Sequence, residues 1–260
     1  MERGCRPSGV RIVGLPYPRA SRAVAAEPAA RPEGVAIDHD TARLLATRFP
    51  QARVVQGDAY NLPATLRDRL DAPPAAVVSS LPLLNRPEAL RLGRALAGDG
   101  LRWYEEPVVP EDLAGYAEMR RQLSMPIAGG ENEHTLYGFR ELFAAGAVDV
   151  AQPDVGSCGG ITALRHITAL AQAHGVAVNP HVWGSAVAQA ASLQVIAALP
   201  VAHHSLFAQQ PVLEYDRSSH PFRQQLITQP IGLQDGWVQI PDGPGLGIEV
   251  DRAVVGRYRA

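Results

Sequence analysis

Five acidic or imidazole side chains recur along the second half of the chain: Glu105, Glu131, Asp154, His181 and Glu214, at intervals of 26, 23, 27 and 33 residues. Carboxylates brought together at one place repel each other unless a cation stands among them. Oxygen donors select a hard divalent ion, Mg²⁺ first of all. A histidine one interval after an aspartate makes a His–Asp dyad, the pairing that orients an imidazole to take or return a proton. Each charged residue taken alone reads as a solvated loop position. Their common phase is what argues for a site.

Each of these residues ends a short apolar run, and most of these runs lead into a helical pattern. LRWYEE, PIAGGE, VDVAQPD and AVNPHV read as strands. The helices between and after them lie in EDLAGYAEMRRQL, LYGFRELFAAG, ITALRHITALAQAHG and the Ala/Leu-rich AVAQAASLQVIAALP, which reads as buried. Strand–helix units repeat about every 25–30 residues when eight of them close a barrel of roughly 250 residues. The polar residues therefore recur once per unit, at the C-terminal strand ends that converge on one mouth. VLEY (212–215), which carries Glu214, is expected to be the closing strand.

Upstream, VAID (35–38), ARVVQGD (52–58) and AAVVSS (75–80) are expected strands, with a helix in RPEALRLGRALA (86–97). The expected fold class is α/β, a (β/α)8-like barrel. Its rival is an incomplete or split arrangement whose unpaired edges invite self-association, so a homo-oligomer is expected. Residues 1–34, rich in Pro, Ala and Arg, are expected to be poorly ordered.

Composition narrows the chemistry. A net charge of -2 gives no basic field for nucleic acid and no cationic face for membranes. No apolar run is long enough to span a bilayer, and the first residues lack a signal-peptide core. Two cysteines, Cys5 and Cys158, are too few for a disulfide framework, which points to the cytoplasm. The chain contains no lysine, so no lysine base or Schiff-base amine is drawn from it.

The polar residues sit in longer patterns. WYEEP (103–107), GGENEHT (129–135), QPDVGSCGGIT (152–162) and NPHVWGSAV (179–187) resemble successive motifs of the mandelate racemase subgroup of the enolase superfamily. LEYDRSSHPFR (213–223) and PDGPGLGIEV (241–250) resemble its closing segment. The resemblance runs from about residue 85 to the C-terminus. It implies Mg²⁺ held by Glu105 and Glu131, an Asp154–His181 dyad, and Glu214 as the electrophilic carboxyl. It also implies removal of a proton α to the carboxylate of a small-molecule sugar acid, and WYEEPVVPED and AGGENEHT are similar to segments of sugar-acid dehydratases and aldarolactone cycloisomerases. The family's third ligand, an aspartate, would fall at Ser79, and its second-strand lysine has no counterpart.

Residues 35–84 resemble instead part of a class I S-adenosylmethionine-dependent methyltransferase of the phospholipid N-methyltransferase kind. That resemblance implies cofactor contacts at Asp38 and Asp58, although the glycine-rich loop before them is missing. Three readings follow: a Mg²⁺-dependent lyase or isomerase, a non-catalytic fusion remnant, and a methyltransferase fragment. A hybrid barrel, with methyltransferase-like units in place of the first three barrel units, is the expected way the parts would combine.

Overall fold

The computed structural model describes residues 86–259 except 99, 201–210, 217–219 and 235, together with the backbone of four strands nearer the N-terminus. Those strands are β1 (Arg22–Ala25), β2 (Glu33–Ala36), β3 (Arg53–Gln56) and β4 (Val77–Ser79).

The helices follow their apolar spacing. In α1 (Arg86–Leu96) the buried residues Ala89, Leu90, Leu92, Gly93 and Leu96 form one face. Helix α2 (Leu113–Gln122) starts at Asp112, whose carboxylate caps the Gly115 amide at 2.9 Å. Phe139, Leu142 and Phe143 are the buried side of α3 (Thr135–Ala144). In α4 (Gly160–Ala173), Leu164, Ile167, Thr168 and Ala171 make a single stripe. Helix α5 (Ala186–Ala198), capped by Ser185, is buried on several sides, Gln189 and Ser192 included. Among the described residues no helix is long and apolar enough to cross a membrane.

Between these helices run β5 (Tyr104–Glu105), β6 (Ile127–Gly129), β7 (Val150–Ala151) and β8 (Ala177–Val178), paired in that order and all parallel. Tyr104 aligns with Ile127, Ala128 with Val150, and Val150 with Ala177. The ladder continues beyond the strand ends: the amides of Glu106, Gln152 and Asn179 donate to Ala128, Gly129 and Ala151 at 3.0, 2.9 and 2.9 Å. This register sets the strand tips side by side. Ile127, Leu92, Met119, Phe139, Leu164 and Ile167 fill the core between sheet and helices.

The remaining chain packs at the end of this series. It comprises α6 (Pro221–Gln224), a hairpin of β9 (Leu233–Gln234) and β10 (Trp237–Val238), and α7 (Arg252–Arg257). Gln194 of α5 donates to the Pro241 carbonyl at 2.6 Å, tying this segment to the helix.

Residues 22–25 form a strand, and two expectations about other segments are corrected. RAVA has no alternating apolar signal, and its order comes from antiparallel backbone pairing with β2 on one side and β4 on the other. The upstream strands were expected to be parallel units of one barrel series. Only β2 and β3 pair in parallel, and the described strands form a separate sheet in the order β3-β2-β1-β4. VLEY, expected as a closing strand, has no strand pairing. The Val212 amide donates to the Asn179 side chain at 2.8 Å instead of to a neighbouring carbonyl, and the Glu214 carboxylate takes the Val182 amide at 2.9 Å. Side chains hold this segment beside β8.

Candidate active site

The tips of β5 to β8 bring the sequence-derived residues into one cluster. His181 lies at its centre. Its Nδ1 is 2.7 Å from Asp154 Oδ2, and its Nε2 is 3.4 Å from Glu131 Oε2 and 3.9 Å from Glu214 Oε2. An ionised carboxylate is an acceptor only, so Nδ1 carries a proton towards Asp154 and Nε2 faces the other two carboxyls. Asp154 is itself held, because its Oδ1 accepts the Gly156 amide at 2.6 Å. The turn closes with the Cys158 amide on the Asp154 carbonyl at 2.8 Å.

Glu105 joins the cluster through a residue the sequence reading passed over. Gln152 is fully buried, and its Nε2 donates to Glu105 Oε2 at 2.6 Å and to Glu214 Oε1 at 3.1 Å. Two acceptors on one nitrogen fix the amide orientation and leave Gln152 Oε1 buried without a hydrogen-bond partner. The Trp103 indole donates to the same Glu105 oxygen at 2.8 Å. Glu106 was also passed over. Its backbone is left-handed, with φ of 41°, which turns its carboxylate towards Asn132 Nδ2 at 2.9 Å. A pair of adjacent glutamates at a strand end was the signal available. Gln152 carried none beyond its place two residues before Asp154.

Burial and crowding set the protonation pattern. Burial works against the imidazolium of His181. The hydrogen bond to Asp154 and the charges of Glu214, Glu131 and Asp154 outweigh it and push the ring up to about 9. Burial, followed by the Glu105 charge, raises the Glu214 carboxyl, while His181 and the donors Val182 and Gln152 oppose the rise. Burial also lifts Glu131, with Glu105 and Asp154 adding and His181 opposing. Glu106 is pushed up to about 7 by burial and by Glu131.

Among the described residues no group of three or more His, Cys, Asp and Glu side chains is arranged to hold a metal ion. Glu105 and Glu131 are hard oxygen donors at neighbouring strand tips, and their mutual repulsion is the kind a divalent cation relieves. They amount to two carboxylates. Ser79, where a third was expected, ends β4. Asp38 and Asp58, the expected methyltransferase contacts, lie outside the described residues.

Comparison with known proteins assigns the chain to a family. The family described as Enolase C-terminal domain-like matches residues 61–254, starting within the stretch that resembled a methyltransferase. The D-galactarolactone cycloisomerase of Agrobacterium fabrum is 46% identical over 172 residues, covering 66% of this chain and 46% of the relative. An L-rhamnonate dehydratase of Saccharopolyspora erythraea is 37% identical over 178 residues, covering 64% and 41%. The crystal structure of the 3,6-anhydro-D-galactonate cycloisomerase from Zobellia galactanivorans superposes with a TM-score of 0.60 at 32% identity, covering 80% of this chain and 51% of that one. The chain thus spans less than half the length of these curated relatives.

Proposed function

Since the chain belongs to the Enolase C-terminal domain-like family, we propose that it serves a lyase or isomerase reaction on a sugar acid or its lactone, with His181 moving the proton α to the carboxylate. The observation that carries this reading is the 2.7 Å contact between His181 Nδ1 and Asp154, which leaves Nε2 directed at the carboxyl cluster. The curated relatives catalyse cycloisomerisation of a galactarolactone and dehydration of a rhamnonate. Both reactions can begin at an acidic C–H beside a carboxylate. On this reading β5 to β8 are four of the eight strands of a (β/α)8 barrel, and the protein works in the cytoplasm.

The residues divide the work. His181 accepts the α-proton at Nε2 in its neutral form, which a ring pushed up to about 9 takes only as the pH rises towards that value, and the C–H electron pair passes into the adjoining carboxylate as an enolate. Asp154 keeps the ring in the Nδ1–H tautomer and stabilises the imidazolium that forms. The carboxyl of Glu214, raised by burial and by Glu105, is disposed to stay protonated and to donate to a substrate oxygen. The enolate then expels an oxygen from the β-carbon, and the His181 imidazolium returns a proton to the departing oxygen. A divalent cation such as Mg²⁺, held by Glu105 and Glu131 with water or a further donor, would supply electrophilic stabilisation of the developing charge. Trp103 and Gln152 fix the position of Glu105 for that role.

Exchange of the α-proton of galactarate in deuterium oxide tests this reading. His181→Asn should lower exchange roughly 10²–10⁴-fold, the range for loss of a positioned general base. Equal exchange in the variant and the parent chain would remove His181 from the reaction. Magnesium titration by calorimetry, with and without Glu131→Gln, tests the cation assignment separately.

A further inference from the structure

Glu214 lies on a segment, residues 211–216, that no strand pairing places. Side chains anchor it on both sides. Two residues before Glu214, the Val212 amide donates to Asn179 Oδ1 at 2.8 Å. Two residues after it, Asp216 Oδ2 lies 2.8 Å from Arg223 Nη1 of α6, and both side chains are buried. The Tyr215 hydroxyl between them donates to the Ile231 carbonyl at 2.8 Å. Arg223 has a second contact: the same Nη1 donates to the Gly184 carbonyl at 3.4 Å, three residues past His181. The ring of Trp183 also meets that of His220, the residue that starts α6, edge-on at 6.0 Å. Arg223 thus belongs to neither segment and touches both the one that carries Glu214 and the one that follows His181. Burying a charge pair gains little over apolar residues of the same volume, so stability alone does not account for this one.

We propose that Arg223 is a positioning residue: paired with Asp216 and tied to Gly184, it fixes the distance between the Glu214 carboxyl and His181, 3.9 Å in the structure. Glu214 meets the segment after His181 through the Val182 amide at 2.9 Å, a bond that lasts only while residues 211–216 stay close. A carboxyl on an unanchored segment would have to find its place at each encounter with substrate, and a misplacement of about 1 Å can cost about 10²-fold in rate. The inference rests on the reading of Glu214 as the carboxyl that donates to a substrate oxygen.

The Val182 amide reports the position of Glu214 without any substrate, so amide hydrogen exchange followed residue by residue by NMR is the measurement. Glu214→Ala gives the rate of a Val182 amide that has lost its acceptor. Arg223→Met alone would strand a buried aspartate, so both charges are removed together in Asp216→Leu/Arg223→Met. In that chain the Val182 and Val212 amides should exchange about tenfold faster, while those of Gln152 and Asn179, held by ladder carbonyls, stay within about twofold. Asp216→Asn keeps the shape and an acceptor for Arg223, and should quicken the same two amides about threefold. Parent rates at Val182 and Val212 in the double variant overturn the proposal, and if that chain does not fold, parent rates in Asp216→Asn do so. An increase shared equally by Gln152 and Asn179 assigns the pair to overall stability and also overturns it. In the α-proton exchange assay with galactarate, kcat of the double variant should fall roughly ten- to hundredfold. An unchanged kcat in a variant of an active parent overturns the proposal too. A Val182 response in a chain whose parent exchanges no α-proton would keep Arg223 as the residue that places Glu214 and defeat the catalytic reading.

Discussion

The two sides of the cluster differ in how far this chain builds them. On the proton-handling side, His181 is set by Asp154 at 2.7 Å, and Asp154 is set by the Gly156 amide at 2.6 Å. Every position on that side is fixed by a neighbour from the same β7–β8 region. On the carboxylate side, Glu105 and Glu131 come from β5 and β6, and the described residues complete no set of three donors around them. Acid–base chemistry needs a pair of residues from adjacent strands, and parallel register delivers that pair locally. A cation site needs donors from several strands, so it depends on how many strands the sheet brings together.

The largest effect should come from breaking the complete side. Asp154→Asn keeps the shape but offers an amide where His181 needs an acceptor, so the imidazole loses its fixed tautomer. Exchange should fall roughly 10²–10⁴-fold while magnesium affinity by calorimetry stays the same. A parallel loss of magnesium binding would show that the two sides are not separable. Glu131→Gln acts on the other side. It should weaken magnesium binding by at least the roughly 10–100-fold seen when even an outer partner of a ligand is lost. Unchanged affinity would move the cation away from Glu131.

Gln152 joins the two sides, and its loss should be felt in stability. In Gln152→Leu, Glu105 keeps the Trp103 indole and Glu214 keeps the Val182 amide, but each loses a donor in a buried setting. Losing such a partner costs about 1–3 kcal/mol, readable from urea denaturation. A change below about 0.5 kcal/mol, the range of an ordinary surface substitution, would mean that other contacts hold the two carboxylates together.

The sequence made this cluster legible through period. Glu105, Glu131, Asp154 and His181 recur at strand–helix spacing, and the parallel ladder of β5 to β8 turns that spacing into adjacency. The helices were legible for the same reason, as in the Leu164–Ile167–Ala171 stripe of α4. Features fixed by backbone or by neutral side chains were not. RAVA pairs through amides and carbonyls that every sequence possesses, so nothing marks it. Gln152 acts through an uncharged amide and looked like an ordinary polar residue. VLEY had the composition of a strand, yet Asn179 and Val182, both distant in sequence, decide how it is bonded.

The smallest effect should come from a site that belongs to neither side. Asp112 caps α2 and accepts from Arg86 Nε of α1 at 2.7 Å. That hydrogen bond, against a partial opposing effect of burial, holds its carboxyl below the ordinary 3.8. A carboxylate with a lowered folded-state pKa contributes stability that is present above the unfolded value and is lost as pH falls through the folded one. The difference in urea midpoint between the parent chain and Asp112→Asn should therefore be constant near neutral pH and shrink once the pH drops below about 3.8. A difference that does not depend on pH would assign the contribution to geometry at the helix start and not to charge. Exchange at His181 and magnesium affinity should be the same in both chains, because among the described residues the Asp112 carboxylate bonds to Arg86 and Gly115 and not to either half of the cluster. A change in either quantity would mean that the α1–α2 junction helps position β5, and would extend the carboxylate side beyond the strand tips.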